Sequence, residues 1–257
     1  VEVVLAARGR IDHAAGLAQS HDGVCLEALR QAGGGAGLDL ALDLLDAALD
    51  VLGVAGAVDD GGVVLSHDDL AGAAEQLDAG TLLPAHLSAL AERVAQLHAS
   101  AALAPDESDF GSAAIVRQQS QTNLDTLAAM ALPEAERRTL QTLNAWTQRE
   151  GERLAPLFAA RKAAGHVREC HGDLHMGNLV QLSDGAQMFD AIEFSEALRF
   201  IDPIADVAFL CMDLQARGRP DLGWHFLNGW LEHSGDYDGL QLLRWYLVYR
   251  ALVRAMV

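Results

Sequence analysis

Every Phe, Trp and Tyr of this chain lies at or beyond Phe110, and Lys162 is the only lysine. Strands favour aromatic and β-branched residues. The first hundred residues, built mostly from Ala, Gly, Leu, Val and Asp, therefore have little material for a well-specified β core. The anchors of a core lie in the second half. At 257 residues and 51% hydrophobic, the chain can bury a sizeable core, as one large domain or as two lobes.

The charge of -18 argues against a nucleic-acid surface, which needs clustered Lys and Arg. It fits a solvated acidic surface better than a dedicated site for cations. Cys25, Cys170 and Cys211 are odd in number and far apart, with no C-x-x-C pair, so neither a disulfide framework nor a zinc site is expected. No stretch approaches the ~18 apolar residues of a membrane span, and the amino terminus has no basic segment leading into an apolar run. The chain is expected to be soluble and cytoplasmic. Its ends fall inside apolar patterns, as in a fragment of a longer protein.

Taken in order, Gly33-Gly34-Gly35 reads as a connector, since it lacks the lysine of a phosphate-binding loop. Residues 38–52 have helical leucine spacing, with Asp39, Asp43, Asp46 and Asp50 as a solvated stripe. Residues 63–65 follow a turn signal and are a candidate strand. A helix with Pro84 in its first turn carries Leu87, Leu90, Val94 and Leu97 on one stripe, and His98 near its end is expected to be packed rather than catalytic. Residues 103–123, polar and punctuated by Pro105 and Gly111, read as a loop. A long helix opens at Pro133 with Leu140, Leu143, Trp146 and Leu154, and Gly151 and Pro156 should break or bend it.

After a short strand over residues 167–170 comes His171-Gly-Asp-Leu-His-Met-Gly-Asn178, spaced H-x-D-x-x-x-x-N. Phosphoryl transfer uses this spacing: an Asp accepts the proton of the acceptor hydroxyl, and an Asn five residues on holds magnesium against the nucleotide phosphates. Ser183-Asp184-Gly185 between two apolar stretches signals a hairpin. A three-residue loop sets Asn178 opposite Asp190, and a two-residue Asp-Gly turn slips the register by one. Either register brings an amide oxygen and a carboxylate to one end, where both can hold a hard cation. Glu193 faces a second ion or, more simply, solvent. His171 and His175 lack a third nitrogen or sulfur partner for a metal site, and His171 reads as an orienting residue. Asp202-Pro203 caps a further helix ending near Gly218. Two more follow, from about Asp221 to Ser234 and from near Asp238 onward.

HGDLHMGN, MFDAIEF and RFIDPIADVAFL, in that order, resemble the aminoglycoside phosphotransferase and choline kinase group of the protein-kinase-like fold. The likeness runs from about Gly80 to the end and is nearest the bacterial branch in which such a domain precedes a P-loop ATPase domain. It implies an α+β, protein-kinase-like fold, with a degenerate N-terminal lobe over 1–80 and a mainly helical C-terminal lobe over 81–257. It further implies Asp173 as catalytic base with His171 beside it, Asn178 and Asp190 as magnesium and nucleotide ligands, and Asp206 as a buried brace of the loop. ATP and Mg2+ would be the cofactors, with an unidentified small-molecule hydroxyl as acceptor, no nucleic-acid or membrane partner, and a P-loop ATPase domain in the full-length protein. The amino-terminal part departs from the pattern. The family grips the nucleotide with a lysine, whereas Arg8, Arg10 and Arg30 are the only basic residues in the first ninety. A divergent lobe, a pseudokinase or a coding error such as a frameshift would each produce this.

Overall fold

Helix α1 (Ala73–Asp78) and helix α2 (Pro84–Ser100) open the part of the chain that the computed structural model describes, residues 72–78, 80–182 and 185–256. The glycine connector, the helix over 38–52 and the strand over 63–65 lie outside the described residues, as does nearly all of the 1–80 lobe. In α2, Leu87, Leu90, Ala91, Val94, Ala95 and His98 are buried at three- and four-residue spacing, one apolar stripe facing the core. Against that stripe packs α7 (Pro220–Ser234), with buried Phe226, Leu227, Trp230 and Leu231. Contact is close because Gly229 has no side chain: a Cβ there would lie 3.0 Å from that of Ala91.

The stretch expected to be a loop over 103–123 instead folds, from Ala113, into helix α3 (Ala113–Ala128). Ser112 caps it by accepting the Ile115 N–H. The run of Gln, Ser, Thr and Asn hides the apolar period. Yet Val116, Ser120, Leu124 and Leu127 fall on one buried face, and tertiary packing overrides modest propensity. Against it lies α4 (Glu134–Ala163), which continues unbroken through Gly151 and Pro156. Pro156 and Glu152, whose carbonyl loses its i+4 partner, are both exposed, a position where solvent can reach the freed oxygen. Gly151 is buried in a tight contact, a Cβ there falling 3.0 Å from the Trp245 ring. The helix ends in paired bonds from His166 N to Arg161 O and from Gly165 N to Lys162 O, with Gly165 at φ 77, a left-handed cap that suits glycine.

Strand β1 (Arg168–Glu169) pairs antiparallel with β4 (Phe200–Ile201), which follows the short helix α5 (Glu196–Arg199). Strand β2 (Leu179–Leu182) pairs with β3 (Gly185–Met188). The hairpin is as expected, but its register is not. Gly185 extends the strand opposite Leu182, so two residues separate the paired positions and the ladder shifts by one. Asn178 therefore meets Phe189, whose N–H donates to the Asn178 carbonyl at 3.1 Å, and Asp190 lies one residue further on.

Helix α6 (Pro203–Ala216) is capped by Asp202, which accepts the Ile204 N–H. It is buried from Pro203 to Leu214 with no face open to solvent, and packs against α7 and α8 (Leu240–Arg254). A buried ion cluster holds these helices together. Arg161, at the end of α4, donates to both Asp202 oxygens at 2.6 and 2.8 Å and to both Asp236 oxygens at 2.8 and 2.6 Å. Burial opposes the guanidinium charge, but the two carboxylates outweigh it and raise its pKa. Opening such a pair from one side costs about 3–5 kcal/mol. Trp146, Phe158, Trp245 and Tyr246 stack or meet edge to face nearby. No helix among the described residues is long and apolar enough to cross a membrane.

Candidate active site

The segment from His171 to Asn178 lies along α6, and a buried carboxylate of that helix fixes its start. Asp206, fully buried, accepts the His171 N–H at 2.8 Å on Oδ2 and the Gly172 N–H at 2.9 Å on Oδ1. Gly172 is needed for this approach. Its φ is +83, and a Cβ would fall 2.8 Å from the Leu198 carbonyl oxygen. Behind Asp206 stands His98, whose Nε2 lies 3.3 Å from Oδ2. Trp230 Nε1–H, which can only donate, occupies His98 Nδ1 at 3.1 Å. The proton of His98 is thereby placed on Nε2, toward Asp206. Burial pushes the Asp206 carboxyl up, but His98, then Arg250 and His171, outweigh it and hold it below its ordinary value.

Both motif histidines have their two ring nitrogens engaged, within the loop or against the hairpin. His171 Nε2 meets the Phe189 carbonyl at 2.8 Å while its Nδ1 accepts the Asp173 N–H at 3.3 Å. The ring thus ties the loop to the end of the hairpin. His175 Nδ1 accepts the Gly177 N–H at 3.1 Å, which leaves Nε2 to donate toward Asp173 Oδ2 at 3.4 Å. Both nitrogens of each ring are thus engaged by groups of the chain.

Asp173 is the one carboxylate of the loop, and it is partly open, its side chain 36% exposed. Asn178 Nδ2 donates to its Oδ2 and to its backbone oxygen, both at 3.0 Å. Two acceptors fix which end of the amide is nitrogen. Burial works against ionisation of Asp173, but the hydrogen bond and charge of His175, then Arg250 and the Asn178 amide, hold its carboxyl below the usual value. Asn178 Oδ1 is the end left to ligate a cation, as the chemistry of Mg2+ prefers. Asp190 reaches the same end of the hairpin through the backbone. It is exposed, and its φ of 58 makes it the non-glycine residue with positive φ among those described. Asp tolerates that region better than most residues, and such conformations cluster at functional sites. Glu193 faces solvent, its carbonyl accepting from Arg199 at 3.0 Å.

Hydrogen bonds thus join His171, Asp173, Asn178 and Asp206 directly, and the hairpin backbone adds Asp190. Sequence reasoning missed Asp213, two turns beyond Asp206, whose Oδ2 accepts the Met176 N–H at 2.8 Å. A second Asp on the same face of an otherwise apolar helix was the available signal. His98, Cys170 and Asp206 also bring ligand atoms within 4.8 Å of one another. Yet Asp206 already receives the loop, Trp230 holds His98, and the Cys170 thiol, its pKa pushed up chiefly by burial, donates to the Ile201 carbonyl at 3.5 Å. The cluster is knit together by these hydrogen bonds in the core.

No protein-family model matches the chain. Over 101 residues it is 42% identical to uncharacterized proteins of Mycobacterium tuberculosis and Mycobacterium bovis, a stretch that covers 39% of this chain and 20% of each relative. The chain therefore matches about a fifth of the length of these curated relatives. Among solved structures, a glucosamine kinase in complex with glucosamine, ADP and inorganic phosphate is similar with a TM-score of 0.45 at 16% identity, over 74% of this chain and 60% of that one. A second crystal form of glucosamine kinase gives 0.45 at 17% identity, over 83% and 53%.

Proposed function

We propose that the chain is an ATP- and magnesium-dependent phosphotransferase that moves the γ-phosphoryl group to a hydroxyl of a small molecule. One observation carries this reading: Asp173, held ionised by His175 and Asn178, stands at the open face of a loop whose backbone is pinned to a buried helix. Phosphoryl transfer asks the protein for positioning and for charge stabilisation, and the pinned, ionised Asp173 is suited to the first of these. Asp173 orients the acceptor hydroxyl and accepts its proton. His171 keeps the loop against the hairpin, Asp206 holds the loop backbone, and Asn178 Oδ1 with Asp190 would hold magnesium. The ion, when bound, neutralises charge on the phosphate oxygens. Residues 81–257 form the catalytic lobe in this reading and 1–80 the nucleotide-facing one. Helix α1, at the end of the latter, packs on β2 and the turn that carries Asn178.

A second reading, a kinase-like module that binds nucleotide without turnover, is favoured by one feature. Lys162, the single lysine of the chain, donates to the Ser108 and Phe110 carbonyls, and so is spent on a loop rather than on phosphates. The two readings separate in an assay of phosphate transfer from Mg-ATP across a panel of hydroxyl acceptors. In the first, product forms and Asp173→Asn lowers turnover about 10²- to 10⁴-fold, the usual contribution of a general base. Unchanged turnover in that variant refutes it. Mg-ATP binding with no product from any acceptor favours the second.

A further inference from the structure

We propose that Asp213 is a positioning residue for the cation site, acting through the Met176 N–H on Asn178. The inference rests on the phosphotransferase reading and assigns that site a second support, separate from Asp206. Met176, Gly177 and Asn178 form a single 3-10 turn whose first N–H has no partner within the turn, the ordinary condition of a helix start. Asp213 Oδ2 supplies that partner at 2.8 Å. A carboxylate makes the bond charge-assisted, hence stronger than a neutral one. The Asp213 residue is 1% exposed, and its Oδ1 faces Arg217 Nε at 3.4 Å. Its position is therefore as fixed as the helix that bears it.

What the bond fixes is the placement of Asn178. Within the turn, Asn178 N–H donates to the His175 carbonyl at 3.0 Å, and the Met176 carbonyl accepts the Leu179 N–H. The Met176 side chain is wholly buried beneath. The backbone of Asn178 is thus set by Met176, and its amide by the two bonds to Asp173. Asp206 holds the loop just before the proposed base, and Asp213 holds it just before the proposed magnesium ligand. The division gives the two carboxylates distinguishable effects, because groups that orient metal ligands change metal affinity by about 10- to 100-fold when removed.

The test is a magnesium titration of the full chain at fixed ADP, read as the shift in unfolding temperature, with magnesium chloride and ADP as the probes. Asp213→Ala raises the magnesium concentration at half-maximal shift about 10- to 100-fold. Asp213→Asn keeps an oxygen for the Met176 N–H but loses the charge, and raises it by about half as much on a logarithmic scale, three- to tenfold. If the alanine variant fails to fold, the asparagine variant alone decides. A lowered unfolding temperature with the wild-type magnesium midpoint in the folded variants makes Asp213 merely structural and overturns the proposal. A wild-type chain that gives no magnesium-dependent shift at all overturns the phosphotransferase reading itself, and the proposal with it.

Discussion

Replacing Asp206 by asparagine removes one negative charge and one acceptor from a site where every neighbour donates. His171 N–H lies at 2.8 Å, Gly172 N–H at 2.9 Å, His98 Nε2 at 3.3 Å and the Arg250 guanidinium at 3.9 Å. The histidine cannot adapt by changing tautomer, since Trp230 Nε1–H already occupies Nδ1. Whichever way the asparagine amide turns, its NH2 faces a loop N–H. One buried donor left unsatisfied costs about 1–3 kcal/mol, and Arg250 loses a charge partner in addition. The expected destabilisation is about 2–4 kcal/mol, within the 5–15 kcal/mol typical of native proteins. The variant therefore folds, and urea unfolding followed by far-ultraviolet circular dichroism gives a lower midpoint at unchanged slope. A change below about 0.5 kcal/mol, the size of an ordinary surface substitution, would mean that the carboxylate does not hold the loop as described.

Acid unfolding has a defined sign. The carboxyls of Asp173 and Asp206 lie below the ordinary value of 3.8 in the folded chain, so the unfolded chain binds protons more readily than the native one. Their contribution to stability is complete above that value and is lost as the pH falls through the lower folded values. A titration of unfolding free energy that rises on acidification through this range contradicts it. Gly172→Ala meets both a φ of +83 and a carbonyl oxygen 2.8 Å from the new Cβ; the left-handed backbone alone costs about 1–2 kcal/mol, and a melting temperature equal to wild type refutes the close approach. Lys162→Met removes the bonds to the Ser108 and Phe110 carbonyls. It is expected to lower the unfolding temperature while leaving the Mg-ADP-induced shift unchanged, and a lost shift would show that this lysine does serve the nucleotide.

The motif, the hairpin and the capped helix at Asp202-Pro203 were legible because each is local: turn residues, caps and apolar period state themselves within a dozen positions. Helix α3 was not, because Gln118 to Asn123 conceal a buried face that only its neighbours reveal. Neither was the continuity of α4, since the sequence marks Pro156 as a breaker without saying that it lies at an exposed position. The hairpin register turned on whether Gly185 sits in the turn or in the strand, and glycine is compatible with both. Among the candidate site residues, Asp173, Asn178 and His171 were singled out by spacing, and the structure joins them by hydrogen bonds. The links that hold them, through His98, Trp230 and Asp213, join positions more than thirty residues apart and have no local signature.

Helix α6 carries Asp206 and Asp213 on one face, two turns and ~10.5 Å apart, each gripping one end of the same loop. The helix thus acts as a ruler for the site. Inserting or deleting one residue between them would swing one carboxylate about 100° around the axis, away from its N–H, and no change in loop length could recover both bonds at once. Length variation among relatives of this chain is therefore expected on either side of the pair and not between its members, and the loop from Gly172 to Met176 should share that fixed length.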